Sequence, residues 1–381
     1  MWRSLNKSRW ALGIIVVYAF LGIFNALIAN DQPLIAQKKG EWIFPAFEDL
    51  LFDWGLKSHG TIEQESRDFE FAFFPIIPYK ANTLDAAHAG FIRPADGVEH
   101  GHYLGTDQLG RDVAAGVIRG CYTSFRIGLL ATLFCALLGI SLGLLMGYYG
   151  NKGIPLNVWQ VALLGFWMFF SIYFIFYPPI SGGVSFIVSI FFWITLVAGG
   201  FYLLQNFSKS RFYLPLDGIL TRIIALRRSI PTLILLLVLF PLFTRPHINN
   251  VILVILILGW TGFARHARAE TLSVKERDFV TASRIMGAGH FSILIKHILP
   301  NIMPTLLVLA AMNFAGNVLL ESTLSFLGMG IPPEEVSWGS LLSEGRKNAS
   351  AWWLVIFPGL ALFILVFTIN KLTDQYLEKD S

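Results

Sequence analysis

Histidines, cysteines and acid pairs are the side chains through which this chain could do chemistry, and they are sparse. Of its eight histidines, His100 and His102 stand beside Glu99 and could hold a metal. A repeated His frame or a Glu-x-x-Glu would be the stronger pattern, so this stretch reads as a solvated loop and no metal is expected. His266, His290 and His297 lie in a basic stretch and read as docking or packing groups. The two cysteines, Cys121 and Cys135, form no disulfide framework or zinc pattern, and Cys135 sits in an apolar run as a small hydrophobe. Glu334-Glu335 follows Pro332-Pro333 and reads as a solvated loop. No Ser/His/Asp or Cys/His set stands out, so no catalytic residue is expected. A phosphate-binding Gly-x4-Gly-Lys-Ser/Thr loop is also missing from the sequence. More telling are Asn313, Asn317 and Glu321, which recur at four-residue spacing in or beside an apolar run. Polar groups are expensive in lipid and turn toward the bundle interior. The three either line a pathway or make interhelical hydrogen bonds.

The elements that position these groups are membrane spans. Hydrophobic residues make up 55% of the chain and charged residues only 14%, against about a quarter charged in soluble domains. Mean hydropathy is +0.60. The net charge of +4 is spread over loops next to apolar runs, which argues against nucleic acid and for membrane orientation. Runs long enough to span, or nearly so, cover 10–29, 123–149, 158–177, 184–204, 230–243, 251–263, 302–320 and 352–370. The first follows Arg3, Lys7 and Arg9 and is expected to stay as an uncleaved span. Gly128, Gly139, Gly143 and Gly147 along the second would let helices approach closely. Basic residues gather at the N-terminus, at 206–229 and at 264–301. Alternating eight spans from a cytoplasmic N-terminus puts all three clusters inside and both 30–121 and 321–351 outside. Removing the aromatic-rich hairpin at about 156–206 leaves every other loop on its side, so the hairpin looks like an addition to a six-span core.

The segment from Asp278 onward is the most informative. Asp278-Phe279-Val280-Thr281-Ala282-Ser283-Arg284-Ile285-Met286 reads as an amphipathic helix. Gly287-Ala288-Gly289 permits a sharp turn, and a second helical stretch ends at Pro300. This resembles the "EAA" loop of ATP-binding-cassette importer permeases. Thr281-Ala282-Ser283 stands where the family has Glu-Ala-Ala, Gly287 and Leu299-Pro300 match, and His297-Ile298-Leu299-Pro300-Asn301 is similar to the peptide branch. Two further motifs agree. Gly105-Thr106-Asp107 with Gly110-Arg111-Asp112 looks like the branch's "LGTDxxGRD". Ser325-Phe326-Leu327-Gly328 followed by Ser337-Trp338-Gly339 looks like "LSFLGxG…SWG". The resemblance covers about 93–150 and 217–372.

The resemblance implies an all-α membrane protein with a type I importer permease fold. Its organisation would be an N-terminal helix (1–29), an extracytoplasmic region (30–121), a permease domain (122–372) with the inserted hairpin, and a cytoplasmic tail (373–381). Asp278, Phe279, Thr281, Ala282, Ser283, Gly287, Ala288, His297 and Pro300 would couple to a nucleotide-binding subunit. The implied partners are a second permease subunit, two ATP-binding subunits carrying ATP and magnesium, and an extracytoplasmic substrate-binding protein, in a bacterial cytoplasmic membrane with both termini inside. This chain would bind no cofactor. Peptides are the expected cargo, with nickel or another small solute as the runner-up. An autonomous secondary transporter would need coupling-ion sites on broken helices, and a membrane enzyme would need clustered catalytic groups at one face. Neither pattern is present.

Overall fold

The computed structural model describes residues 2–38, 40–54, 69–150, 154–156, 212–243 and 246–380. In chain order its elements are α1 (Trp2–Ile23), α2 (Asn25–Ile28), β1 (Ile35–Lys38), β2 (Glu41–Ile43), α3 (Pro45–Asp53), β3 (Phe71–Phe73) and α4 (Pro94–Gly97). Next come α5 (Val113–Tyr149), β4 (Ile154–Leu156), β5 (Phe212–Leu214), α6 (Leu216–Ser229), α7 (Thr232–Leu239), α8 (Ile248–Val274) and α9 (Asp278–Ile285). The chain ends with α10 (His290–Phe326), α11 (Trp338–Lys347) and α12 (Trp353–Asp380).

Among the described residues, four helices are long and apolar enough to cross a membrane: Val113–Tyr149, Ile248–Val274, His290–Phe326 and Trp353–Leu377. The apolar part of α1, Trp10–Ile23, is shorter. A fifth candidate is the pair α6 and α7, which meet at 92°. The bend has a local cause. Pro231 forces Ile230 out of the helical region, to φ −99° and ψ 126°, because the proline ring clashes with a helical predecessor. The run expected at 230–243 is therefore helical from Thr232 and tightens to a 3₁₀ turn at Phe240–Leu242. The two runs of the expected hairpin, 158–177 and 184–204, lie outside the described residues.

Several boundaries differ from the expectation. α5 starts at Val113, ten residues ahead of the expected 123, because Asp112 caps it. With about 1.5 Å of rise per residue it is roughly 55 Å long, well beyond the ~30 Å apolar core of a bilayer. α8 likewise continues past 263 to Val274. The break expected at Pro300 does not occur. The helix runs through it, with a π turn at Leu294–Ile298 immediately ahead, the widening by which a helix absorbs such an irregularity. The segment after α1, which offered no regular pattern, contains an antiparallel sheet of order β2-β1-β3. In it Ala36 lies opposite Ile43 and Ala72.

The chain divides into two compact units. One comprises Met1–Leu137, Leu233–Trp260 and Pro304–Ser381. Its core gathers Tyr18, Cys121, Ala315, Val318, Trp338, Ala361, Leu365 and Ile369, and the Tyr18 hydroxyl donates to Ala361 O at 2.9 Å. The other comprises Leu138–Thr232 and Thr261–Met303. There α5 and α8 touch at two of the four expected glycines: a Cβ on Gly143 would fall 2.5 Å from Ala264 O, and one on Gly147 2.6 Å from Thr271 Cβ. In this second unit β4 and β5 also pair antiparallel, Ile154 opposite Leu214 and Leu156 opposite Phe212. The chain thus leaves and re-enters the fold at adjacent points on either side of 157–211.

Candidate functional site

The elbow after α8 is built from a helix with strong stop and start signals. Asp278 lies in the first turn of α9 and Arg284 in the last, each opposite in sign to the helix end it sits on. Gly287 ends the helix at φ +84°, a left-handed conformation that glycine adopts without a Cβ clash. Gly287 N donates to Arg284 O at 3.1 Å and Ala288 N to Ser283 O at 3.0 Å, which together make a Schellman cap. Val280 and Ser283 turn inward. The Ser283 hydroxyl donates to Phe279 O at 2.8 Å and stands 3.5 Å from His297 Nε2. Asp278, Phe279, Thr281, Ala282 and Pro300 are exposed, and Ala288 and His297 are half-buried. Three large apolar side chains stand almost free at the tip: Ile285 (81% exposed), Met286 (80%) and Phe291 (77%). The sequence reading missed these three, although their apolar character in a basic loop was visible.

The base of the elbow is tied down within the same unit. Lys275 Nζ donates to Gly147 O at 2.9 Å, and Tyr148 Oη lies 2.8 Å from His290 Nδ1. Arg268 grips Asp217 through two bonds, Nε–Oδ1 2.5 Å and NH2–Oδ2 2.8 Å. Such a fork is the strong form of ion pair. Asp217 was not foreseen, although it is the only acid between 206 and 229.

In the other unit, Asn317 and Glu321 face α5. Asn317 Nδ2 donates to Thr132 Oγ1 at 2.9 Å. Glu321 is fully buried and accepts from Ser325 (2.8 Å), Ser124 (3.3 Å) and Ser322 (3.4 Å). Asn313 is half-buried and donates to Leu309 O of its own helix. Ser337 caps α11 reciprocally with Ser340. Trp338 is fully buried and donates from Nε1 to Val117 O at 2.9 Å. It lies over Gly120, where a Cβ would fall 2.3 Å from the indole Cδ1. Gly339 approaches the Ser322 carbonyl. Gly328 takes φ +79° at the end of α10, Phe326 supports the Arg346 guanidinium at 4.9 Å, and Leu327 is exposed.

Gly105–Asp112 forms a folded cap on α5. Asp112 Oδ1 accepts from Ala115 N at 2.7 Å, a helix N-cap. Asp107 accepts from Leu109 N, Arg111 N and Arg111 Nε at 2.6–2.9 Å. Thr106 Oγ1 accepts from Ile92 N and donates to His88 O, and Trp353 Nε1 donates to Thr106 O at 3.0 Å. Gly105 and Gly110 both take positive φ. A Cβ on Gly110 would fall 2.0 Å from Asp85 O. Glu335 is not free in solvent as expected. With Asp53 it pairs Arg119 of α5, at 3.2 Å for Glu335, while Arg119 also donates to Asn25 Oδ1 at 3.1 Å.

Residues 207–379 match the family model described as binding-protein-dependent transport system inner membrane component. The chain is 30% identical over 274 residues to a putative peptide transport system permease protein of Brucella suis, covering 72% of this chain and 71% of that protein. It is 28% identical over 307 residues to the oligopeptide transport system permease protein OppC of Mycobacterium bovis, covering 80% and 82% respectively. It is also 24% identical over 412 residues to the peptidoglycan transport system permease protein YejE of Agrobacterium fabrum, covering 98% and 91%.

Proposed function

Because this chain belongs to the family of binding-protein-dependent transport inner membrane components, we propose that it moves peptides through a pathway shared with a second permease subunit. It is a multi-pass protein of the inner membrane with a type I permease fold. The peptide reading is supported by the names of its relatives, which include peptide and oligopeptide permeases. Two separate ATP-binding subunits, carrying ATP and magnesium, supply the work, and an extracytoplasmic binding protein delivers the cargo. Both termini and the elbow face the cytoplasm in this reading, and 30–121 faces outward.

The observation that carries the proposal is the elbow tip. Ile285, Met286 and Phe291 are nearly bare, and apolar side chains clustered in water mark a surface that another protein covers. The capped turn at Gly287 holds them in one shape. Asp278, Phe279, Thr281, Ala282, Ser283, Gly287, Ala288, His297 and Pro300 form the supporting frame that docks on the ATPase subunit. Asn313, Asn317 and Glu321 set the polar side of the pathway helix α10, with Asn317 and Glu321 acting through their bonds to α5. The test is a single cysteine at Met286. With a thiol-reactive cross-linker in inside-out vesicles it should join the chain to an ATPase subunit. A cross-link formed only from the outer face, or to no ATPase subunit, would sink the proposal.

A further inference from the structure

Ahead of α5, three side chains from two turns converge on one point: Asp85 and His88 from the turn at 85–88, and His102 from the turn that follows Gly101. Asp85, His88 and His102 bring their potential ligand atoms within 4.8 Å of one another. Asp85 Oδ2 is the hub: His88 Nδ1 lies 2.8 Å away and His102 Nε2 3.5 Å away. His102 is completely buried, and its Nε2 makes no hydrogen bond. A buried polar atom of this kind is normally satisfied, so an orphan aimed at a carboxylate calls for a partner.

The surroundings fix the tautomer. Asp112 is buried and its Oδ2 lies 2.9 Å from His102 Nδ1. A carboxylate only accepts, so Nδ1 carries the proton and the Nε2 lone pair can point to the hub. An outer carboxylate orienting a histidine in this way is the arrangement found behind metal-ligating imidazoles. The rings are also held in place. Tyr79 stacks on His102 with centroids 4.2 Å apart, and His100 lies over His88 at 4.2 Å. Asp85 itself is positioned by Gly110, whose missing Cβ leaves room for the Asp85 carbonyl.

We propose that Asp85, His88 and His102 form a binding site for one divalent cation of the zinc class, with water in the remaining position. Two imidazoles and a carboxylate are a donor set that zinc takes readily, with bonds of about 2.0–2.2 Å. Magnesium and calcium take all-oxygen sets and would not compete. Sequence reading passed over the site because Glu99, His100 and His102 supply only one ligand between them. The others come from a turn upstream that folding brings alongside.

The test uses the full chain in detergent, purified through a tag without histidine, stripped with chelator and titrated with zinc against a chromophoric competitor. About one zinc per chain is expected, with an X-ray absorption spectrum that shows two imidazoles and oxygen around the metal. His88→Ala and Asp85→Asn, both at partly exposed positions, should each weaken zinc at least 100-fold while the chain elutes and melts as before. Zinc should raise the melting temperature of the parent chain and not of either variant. Should one variant fail to fold, the other and the absorption spectrum decide. Three results would overturn the site: no zinc uptake by the parent chain, unchanged affinity in a folded variant, or loss of zinc in His100→Ala with His88→Ala unaffected.

Discussion

Met286→Asp and Ile285→Asp test the elbow tip most directly. Both side chains are about four-fifths exposed in the free chain, so the substitutions should change its own stability by no more than about 0.5 kcal/mol. Their effect should emerge only on docking. Covering a Met or Ile side chain fully contributes about 1.5–3 kcal/mol, and an unpaired carboxylate trapped in the interface adds a further penalty. Taking about 3 kcal/mol in all, affinity for the ATPase subunits should fall roughly 150-fold. The assay is affinity measurement between the permease pair and purified ATPase subunits in nanodiscs, with the melting temperature of the pair as a control. Transport into proteoliposomes should fall in parallel. If either variant bound the ATPase subunits within a factor of three of the parent, the tip would not be the docking surface. If the pair instead melted several degrees lower, the side chains would be structural, contrary to their exposure.

Four further outcomes follow from the structure. Gly120→Val would drive a Cβ into Trp338 at 2.3 Å and should cost about 1–3 kcal/mol, read as a lower melting temperature. Gly262→Ala, where no described residue beyond the local helix backbone lies within 4 Å of an added Cβ, should be neutral or stabilising. Asn317→Leu removes the bond to Thr132, worth about 0.6 kcal/mol in a bilayer; the complex should assemble normally while transport changes, and unchanged transport would take Asn317 out of the pathway reading. Replacing 157–211 with Asn-Gly, a pair suited to a two-residue hairpin turn, should preserve folding and transport because β4 and β5 already pair. Complete loss of assembly would show that the insertion is integral to the fold.

Four of the expected spans were legible because lipid imposes a coarse demand, about 20 apolar residues per crossing, which the helices at 113–149, 248–274, 290–326 and 353–377 meet. The turn at Gly287 was legible too, since its helix-stop chemistry is local. Four boundaries escaped for reasons that are equally physical. The extra turns of α5 depend on Asp112 as cap, and Asp112 is recognisable as a cap only once Ala115 N is seen to meet it. The 92° bend between α6 and α7 was written in Pro231, but the apolar run across it masked the break. The helix through Pro300 continues because a π turn precedes it, and no residue pattern announces such a turn. The sheet β2-β1-β3 relies on short strands joined across a long stretch of sequence. Side-chain partnerships were the least visible. Glu335 looked solvated beside two prolines, and nothing near it in sequence pointed to Arg119.

The anchoring of the elbow base bears on how a push at its tip would travel. A surface helix on a free loop would absorb such a push by swinging, since an unpaired loop resists displacement only through chain entropy. Here three ties act within one unit: Lys275 on Gly147 O, Tyr148 on His290, and the Arg268 fork on Asp217. A typical hydrogen bond contributes about 0.5–1.5 kcal/mol and one to a charged group about 1.5–3, so together they resist displacement by several kcal/mol. Gly143 and Gly147 add close backbone contact between α5 and α8, which leaves no soft side-chain layer to compress. α10 starts at His290, inside the elbow, and runs through Pro300 without a break, so the elbow and this helix share one continuous backbone. If the elbow docks as proposed, it should move with the helices that hold it, and a load on Met286 should become a displacement of their ends.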